Sequence, residues 1–339
     1  MSLRNSAGTQ LQIDNCCDSI EIENQSEDLS MQISKVGGII AVVSKTNAQS
    51  FSQNGIISII RRIVITYQQA GIFPIVIITD AEDGSLKLQL ANYGVIFLQN
   101  AEPCNSSELF TFIKTGLKYL EGKCNQVMFT PLSCPMFTAT TLLTLMERSE
   151  DIVIASHQRY GGHPVLISQS AIPSILKYQG ENGLRGAIAS SELQRVWVDV
   201  NDKGVLLRVH SAEDLNLQLN ENNSVVLHPV LQLRLEREEP FFNERLKTLL
   251  FLILNHYSIH KGCACIGLAY SKAWAMIKQL ESNLGYPVVT RHRGGKGGGG
   301  AFLTPEGERF LTAYQQFEES VHQTALKEFR KHFIDSNII

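Results

Sequence analysis

The chain carries the stretch GLAYSKAWAMIKQLESNLG at residues 267–285, which decides how its last third folds. At about 100° per residue, the large apolar residues fall on one helical face: Ala273, Ile277, Leu280 and Leu284. The residues on the opposite face are small or polar: Ser271, Ala275, Lys278 and Ser282. We expect Ser271 to cap the start of this helix and Gly285 to end it in the left-handed conformation.

The small polar face of this helix is suited to a nucleic acid groove. A bulky face would be held away from the bases, whereas small side chains allow a helix to enter the major groove. Lys272 and Lys278 are placed for phosphates or base edges. The stretch therefore predicts a recognition helix that binds double-stranded DNA.

A glycine-rich basic segment, RHRGGKGGGGAFL, follows at residues 291–303. Its glycines permit a tight hairpin, and three cations lie on it. Between residues 270 and 300, five basic residues stand against the single acid Glu281, a local charge of +4 in a chain of −3. Such a patch is what phosphate contact requires. The predicted DNA contacts are Ser271, Lys272, Ala275, Lys278, Arg291, Arg293 and Lys296.

These motifs, together with Leu303-Thr304-Pro305-Glu306-Gly307, resemble the DNA-binding domain of the ModE molybdate-responsive regulators. The resemblance implies a LysR-like winged helix, a dimer built on flanking helices, and control of molybdenum-related genes. It covers roughly residues 228–333. In this region the residues predict a short strand at Val230–Glu236 and a final helix at Pro305–Phe333, which Thr304 caps.

Short apolar runs alternate with helical patterns between Gly37 and Leu219. This alternation predicts a mostly parallel sheet covered by helices on both faces. The predicted strands are Ile39–Val43, Ile75–Thr79, Val95–Leu98, Gln126–Thr130 and Asp151–Ser156. The predicted helices are Ile56–Ala70, Ser85–Tyr93 and Glu108–Leu120.

Four regions are expected along the chain. Residues 1–35 form a mobile leader and residues 36–219 an α/β domain. Residues 220–227 form a linker and residues 228–335 a winged helix-turn-helix domain with a long C-terminal dimerisation helix. The expected fold class is therefore α/β followed by a helical DNA-binding domain.

The α/β domain resembles the molybdenum cofactor nucleotidyltransferases of the MobA/MocA type. The matching motifs are Gly161–Leu166, Gly180–Arg185 and Ser211–Leu215. This resemblance implies a nucleotidyltransferase-like fold and a ligand cleft. The cleft residues that it implies are Lys45, Gly162, His163, Gly180 and Arg185.

The chain departs from that family at the positions that serve catalysis. The loop at residues 41–51 lacks the glycines that let backbone approach phosphate. Ser133 stands where the family has an aspartate, and Arg208 and His210 replace carboxylates near the end of the domain. Magnesium is held by carboxylates and phosphates, so we expect no catalytic residues and no metal site, with magnesium as cofactor only if the transferase is active. Glu213 and Asp214 are expected to cap the next helix instead.

Three readings of the α/β domain remain open. It is an inactive sensor for an effector (a nucleotide, molybdopterin or an oxyanion) in a transcription regulator, an active cytidylyl- or guanylyltransferase that also binds DNA, or a dimerisation scaffold. The missing glycine loop and carboxylates favour the sensor. The motifs Gly162-His163-Pro164 and Gly180–Arg185 count against a scaffold, which has no need of a glycine-lined cleft.

The final helix predicts a homodimer. Its apolar residues recur at spacings of three and four: Phe310, Tyr314, Phe317, Val321, Ala325, Phe329 and Phe333. A winged helix is too small to cover a stripe of that length, so a second copy is expected to bury its outer part. The alternative is packing against the chain's own α/β domain.

Composition excludes several other classes of protein. With 44% hydrophobic and 19% charged residues, the chain is typical of a globular protein. No apolar run is long enough to span a membrane and no signal peptide is recognisable, so we expect a cytoplasmic protein without a membrane partner. The seven cysteines form no C-x-x-C pair, which argues against a disulfide framework and a zinc site.

Overall fold

A seven-stranded sheet forms the larger part of the protein in the computed structural model. The structure describes residues 34–43, 53–80, 84–100, 108–221, 229–292 and 300–336. The strands are β1 (Ser34–Val42), β2 (Ile75–Thr79), β3 (Ile96–Gln99), β4 (Cys124–Pro131), β5 (Ile152–His157), β6 (Tyr160–Ser168) and β7 (Arg195–Asp199). They lie in the order β3-β2-β1-β4-β6-β5-β7. Only β6 runs antiparallel to its neighbours β4 and β5, so the sheet is mostly parallel, as predicted.

Helices connect these strands and cover both faces of the sheet. They are α1 (Gln53–Gln69), α2 (Gly84–Gln89), α3 (Glu108–Leu120), α4 (Ala139–Met146), α5 (Ile172–Lys177), α6 (Gly183–Ala189) and α7 (Ala212–Glu221). The prediction for Glu108–Leu120 is confirmed at both ends. The helix predicted at Ser85–Tyr93 is shorter, because α2 gives way to a 3-10 turn at Ala91–Tyr93.

Alternate residues of β1 enter two separate hydrophobic cores. Ile39 and Ala41 pack with residues of α3, whereas Ile40 and Val42 pack with residues of α1. This alternation follows from the two-residue period of a strand and explains why β1 is apolar throughout. The first core continues into the C-terminal region, so the described residues from Ser34 onward pack as one unit.

The C-terminal region consists of helices and two small hairpins. Its elements are β8 (Leu235–Glu236), β9 (Pro240–Phe242), α8 (Glu244–Leu254), α9 (Ile259–Cys265), α10 (Tyr270–Leu284), β10 (Val289–His292), β11 (Gly300–Leu303) and α11 (Pro305–Phe329). A π-helical turn, Arg330–Ile334, continues α11. No helix among the described residues is both long enough and apolar enough to cross a bilayer.

Two local predictions in this region are wrong and two are confirmed. The strand predicted at Val230–Glu236 is reduced to Leu235–Glu236, which pairs only with β9. Ser271 does not cap α10, because the helix already begins at Tyr270 and its preceding residue makes no side-chain cap. Gly285 ends α10 at φ 80°, as predicted. Thr304 caps α11 by accepting a hydrogen bond from the Gly307 amide at 3.0 Å.

Candidate DNA-binding surface and ligand cleft

Helix α10 has the two faces that its sequence predicts. Ala273, Ile277 and Leu280 are fully buried in the core. The exposed residues include all four predicted DNA contacts on this helix, Ser271, Lys272, Ala275 and Lys278. The apolar face thus fixes the helix on the core and leaves two lysines and two small residues free to meet a groove.

Arg291 lies beside the first turns of α10. It belongs to β10, where it pairs with Ala301 of β11 in an antiparallel hairpin. Its guanidinium carbon lies 3.4 Å from the centroid of the Trp274 ring. Arg293 and Lys296, the other two predicted contacts, fall in residues 293–299, outside the described part of the chain.

Sequence reasoning missed one exposed aromatic residue on this surface. Tyr270, the first residue of α10, is 49% exposed. Its ring centroid lies 6.3 Å from those of Trp274 and His260. An aromatic residue at the start of the predicted recognition helix was the available signal, but the helical pattern alone did not show that its ring is exposed.

A cleft of about 1990 Å³ opens beside α3 and α6. Four of the five predicted cleft residues line it: Gly162, His163, Gly180 and Arg185. The fifth, Lys45, lies outside the described residues. The four described residues, which were predicted to form one site and lie up to 23 positions apart in the sequence, therefore meet in one cleft.

Aromatic rings and cations make up much of the cleft wall. The rings are Phe110, Phe129, Tyr178 and Trp197. The charged residues are Lys114, Lys118, Arg185 and Arg195, against Glu121 and Glu181. Trp197 lies on β7 at the sheet edge and is 53% exposed. A cleft with this lining is suited to a ligand that has both a flat apolar part and negative charge.

Lys114 is the most constrained cation of the cleft. Its ammonium donates a hydrogen bond to the Tyr178 carbonyl and lies 4.8 Å from the centroid of the Phe110 ring. Burial lowers its pKa. Arg185, by contrast, is exposed and has no ion pair with any described residue, so its donors are available to a ligand.

His163 is neutral in this cleft. Burial lowers its pKa to about 4, and the positive charge of Arg208 acts in the same direction. Its ring stands edge-on to Phe129 at 5.9 Å. The Nδ1 atom is buried and has no hydrogen-bond partner among the described residues. In a neutral imidazole one ring nitrogen donates a hydrogen bond and the other accepts one, but the ring supplies no charge to hold an anion.

Gly162 has a packing role that the sequence did not reveal. A Cβ atom at this position would lie 2.1 Å from the Val205 carbonyl oxygen, which is backbone and cannot move aside cheaply. Gly186 is similar, since its Cβ would lie 2.2 Å from the Glu181 carbonyl oxygen. These glycines therefore bring backbone segments together at the cleft, and a scaffold would also need them.

Residues 51–196 match the family of MobA-like NTP transferase domains. This stretch is a MobA-like NTP transferase domain. The match includes the motifs at Gly161–Leu166 and Gly180–Arg185 on which the sequence resemblance rested, and the cleft lies largely within it. Among solved structures, a nucleotidyl transferase from Methanothermobacter thermautotroptrophicus aligns with a TM-score of 0.44 at 12% identity, covering 57% of this chain and 98% of that one.

Relatives of the ModE type match a shorter stretch. Over 64 residues the chain is 44% identical to the molybdenum-pterin-binding protein MopB of Rhodobacter capsulatus, covering 19% of this chain and 24% of that protein. Over 85 residues it is 38% identical to the transcriptional regulator ModE of Yersinia pestis, covering 25% and 32%. The chain thus spans about a quarter to a third of the length of the curated relatives it matches.

The positions where the sequence lacks the family's carboxylates carry other side chains. Ser133 offers only a hydroxyl, and Arg208 is a cation close enough to Cys134 and His163 to affect their pKa values. The Ser211 hydroxyl caps α7 by accepting a hydrogen bond from the Asp214 amide. The Asp214 carboxylate lies in the first turn and accepts from the His210 amide, so Asp214 takes part in the cap without being its first acceptor. Within the described residues, no group of three His, Cys, Asp or Glu side chains is placed to hold a metal ion.

Asp202, which sequence reasoning did not single out, fixes the segment after β4. It is 5% exposed. One carboxylate oxygen accepts hydrogen bonds from the Thr138 amide and hydroxyl at 2.9 and 3.0 Å and from the Thr141 hydroxyl at 2.5 Å. The other accepts from the Gly204 amide at 2.9 Å. Asp202 thereby joins the start of α4 to the turn that packs on Gly162.

A buried charge cluster joins the C-terminal region to the transferase domain. The Lys247 ammonium lies 2.9 Å from Glu244 and 2.6 Å from Glu318, and 4.4 Å from the centroid of the Phe73 ring. Next to it, the Thr248 hydroxyl donates to the Gly94 carbonyl at 2.7 Å. Helix α8 is therefore bound on one side to α11 and on the other to the sheet domain.

Helix α11 buries only part of the predicted apolar stripe. Tyr314 of the stripe is buried, together with Leu311 and His322 outside it, whereas Phe317 is 50% exposed. The helix also contacts the sheet domain through an ion pair between Lys35 and Glu319 at 2.7 Å. Part of α11 thus packs on its own chain, and the aromatic residue at the middle of the stripe is left uncovered by the described residues.

Proposed function

We propose that this chain is a DNA-binding transcriptional regulator of molybdenum-related genes, in which the transferase domain senses an effector. The supporting observation is the exposed face of α10, where Lys272 and Lys278 project from a helix fixed on its core. Helices α8 to α10, followed by the β10–β11 hairpin, are the elements of a winged helix-turn-helix. The relatives named as ModE support the regulatory role.

DNA affinity and its salt dependence test the proposal. Each cation that contacts a phosphate contributes about one unit to the slope of log affinity against log salt. We expect Lys272→Ala, Lys278→Ala, Arg293→Ala and Lys296→Ala each to lower that slope by about one unit on any duplex. Fluorescence anisotropy with labelled duplexes between low and high salt measures it.

Lys327→Ala is the matched control, because Lys327 is exposed near the other end of α11. It should keep the parent slope. If the four variants and the control all behave like the parent protein, the assignment of the DNA-binding surface is wrong.

The sensor role is supported by a large cleft whose described residues include no group of carboxylates placed to hold magnesium. Nucleotidyl transfer needs a divalent ion to neutralise the phosphates, and Ser133, Arg208 and His210 are poor ligands for it. The second candidate function is active cytidylyl or guanylyl transfer, favoured by the family match over residues 51–196. Turnover of molybdopterin with CTP or GTP that disappears in Arg185→Ala would establish it and exclude a sensor without activity.

We also propose that the regulator is a homodimer. The exposed Phe317 and the partly buried Val321 lie one turn apart on α11, where a second copy would remove them from water. A two-fold dimer would present two copies of α10 to successive major grooves. We expect light scattering at micromolar concentration to give twice the chain mass, and Phe317→Asp with Val321→Asp to give the monomer. A parent protein that is a monomer both free and on DNA would refute the dimer.

A further inference from the structure

The side chain of Arg291 is held differently from the other cations of the DNA-binding surface. Its guanidinium stacks on the Trp274 ring with 3.4 Å between the guanidinium carbon and the ring centroid. Trp274 is itself held between the core and Tyr270, whose ring stands at 77° to it. Lys272 and Lys278, in contrast, are exposed and have no such support.

Stacking leaves the hydrogen-bonding edge of Arg291 open. A guanidinium has all its donors in its own plane, so an aromatic ring on its face removes none of them. Among the described residues no carboxylate pairs with Arg291, and the residue is exposed. The arrangement therefore offers a flat, oriented pair of N–H donors at little further cost in conformational entropy.

The position of Arg291 matters as much as its orientation. The residues at the N-terminal end of a recognition helix contact base edges. Arg291 lies over Trp274 in the second turn of α10, and the Trp274 ring lies 6.3 Å from that of Tyr270, the first residue of the helix. Arg291 thus lies beside the turn of α10 that is expected to contact bases, and not at the tip of the hairpin.

We propose that Arg291 reads a guanine in the major groove, by donating two hydrogen bonds to its O6 and N7 atoms from a guanidinium fixed on Trp274. Paired donors on a planar fork match these two acceptors, and lysine cannot reproduce that geometry. The inference rests on the proposed DNA-binding function and adds to it the class of base pair that the protein selects. Arg291 is then a specificity residue, whereas Lys278 contributes to binding at all sequences.

Selection from a pool of random duplexes tests the proposal, with the full chain and its Arg291→Lys and Lys278→Ala variants. We expect the parent protein to enrich a motif that contains at least one strongly preferred G·C pair. In Arg291→Lys, the preference at one such pair should fall about 5- to 150-fold, the ratio that corresponds to one bidentate contact. In Lys278→Ala, affinity should fall on every sequence while the motif remains the same.

The possible outcomes separate this proposal from the one on which it rests. If Arg291→Lys enriches the parent motif with every G·C preference intact, Arg291 contacts phosphate and the inference is wrong. Salt-dependent binding of the parent protein without any sequence preference also refutes it, but leaves DNA binding standing. If the parent protein binds no duplex, both proposals fail. A melting temperature of Arg291→Lys within a few degrees of the parent shows that any loss is not unfolding.

Discussion

Replacing Lys247 with methionine is expected to lower the free energy of unfolding by about 3–5 kcal/mol. The Lys247 side chain is 3% exposed and lies between the carboxylates of Glu244 and Glu318. Methionine has a similar shape but no charge, so both carboxylates would stay buried without their cation. Urea denaturation of the two proteins at pH 7 measures the difference, and Lys327→Met at an exposed site should change it by less than about 0.5 kcal/mol.

The same cluster makes a prediction for pH. Burial raises the pKa of Glu244 to about 7, with Lys247 opposing the shift and Glu318 adding to it. Since the folded protein binds this proton more tightly than the unfolded chain, the contribution to stability is full below about pH 4.5 and is lost as the pH rises through 7. Glu244→Gln should remove that part of the pH dependence. An unchanged pH profile in Glu244→Gln would contradict the assignment.

Asp202→Ala is expected to cost a similar amount, about 3–5 kcal/mol. The change leaves the amides of Thr138 and Gly204 and the Thr141 hydroxyl without an acceptor in a buried site. It also removes the charge that faces Arg62, whose pKa burial lowers and Asp202 raises. Denaturant unfolding is again the measurement.

Glu192→Ala is the control for Asp202→Ala, because Glu192 is an exposed acid on the same domain. It should leave stability unchanged within about 0.5 kcal/mol. If Asp202→Ala changes the free energy of unfolding as little as Glu192→Ala does, the hydrogen bonds of Asp202 do not hold the segment after β4. Asp202 then does not fix the turn that packs on Gly162 either.

Local pattern was sufficient for much of the fold and of the candidate site. The bounds of Glu108–Leu120 and the buried face of α10 follow from helical periodicity, which depends on neighbours three and four residues away. The cleft residues were found through motifs that resemble a family. It was this resemblance, rather than a pattern of charge or hydropathy, that predicted Gly162 and Arg185 to lie in one site.

The features that were missed depend on pairs distant in sequence. Thr138 and Asp202 are 64 residues apart, and Lys247 and Glu318 are 71 apart. For the same reason the burial of His322 on α11 was missed: a hydropathy pattern puts Glu318 and His322 outside, yet Lys247 provides a polar partner for Glu318. The packing role of Gly162 was missed because the close approach of Val205 is also non-local.

If the transferase domain senses an effector, a ligand in its cleft changes how tightly the chain binds DNA. This is measured by the DNA dissociation constant of the full chain at fixed salt, with and without CTP, GTP, molybdate, tungstate or molybdopterin at saturating concentration. We predict that at least one of these changes the constant by about 5- to 150-fold, and that Arg185→Ala loses the change but keeps the ligand-free affinity. A dissociation constant that none of them alters, for a ligand shown by thermal shift to bind the protein, would contradict the account.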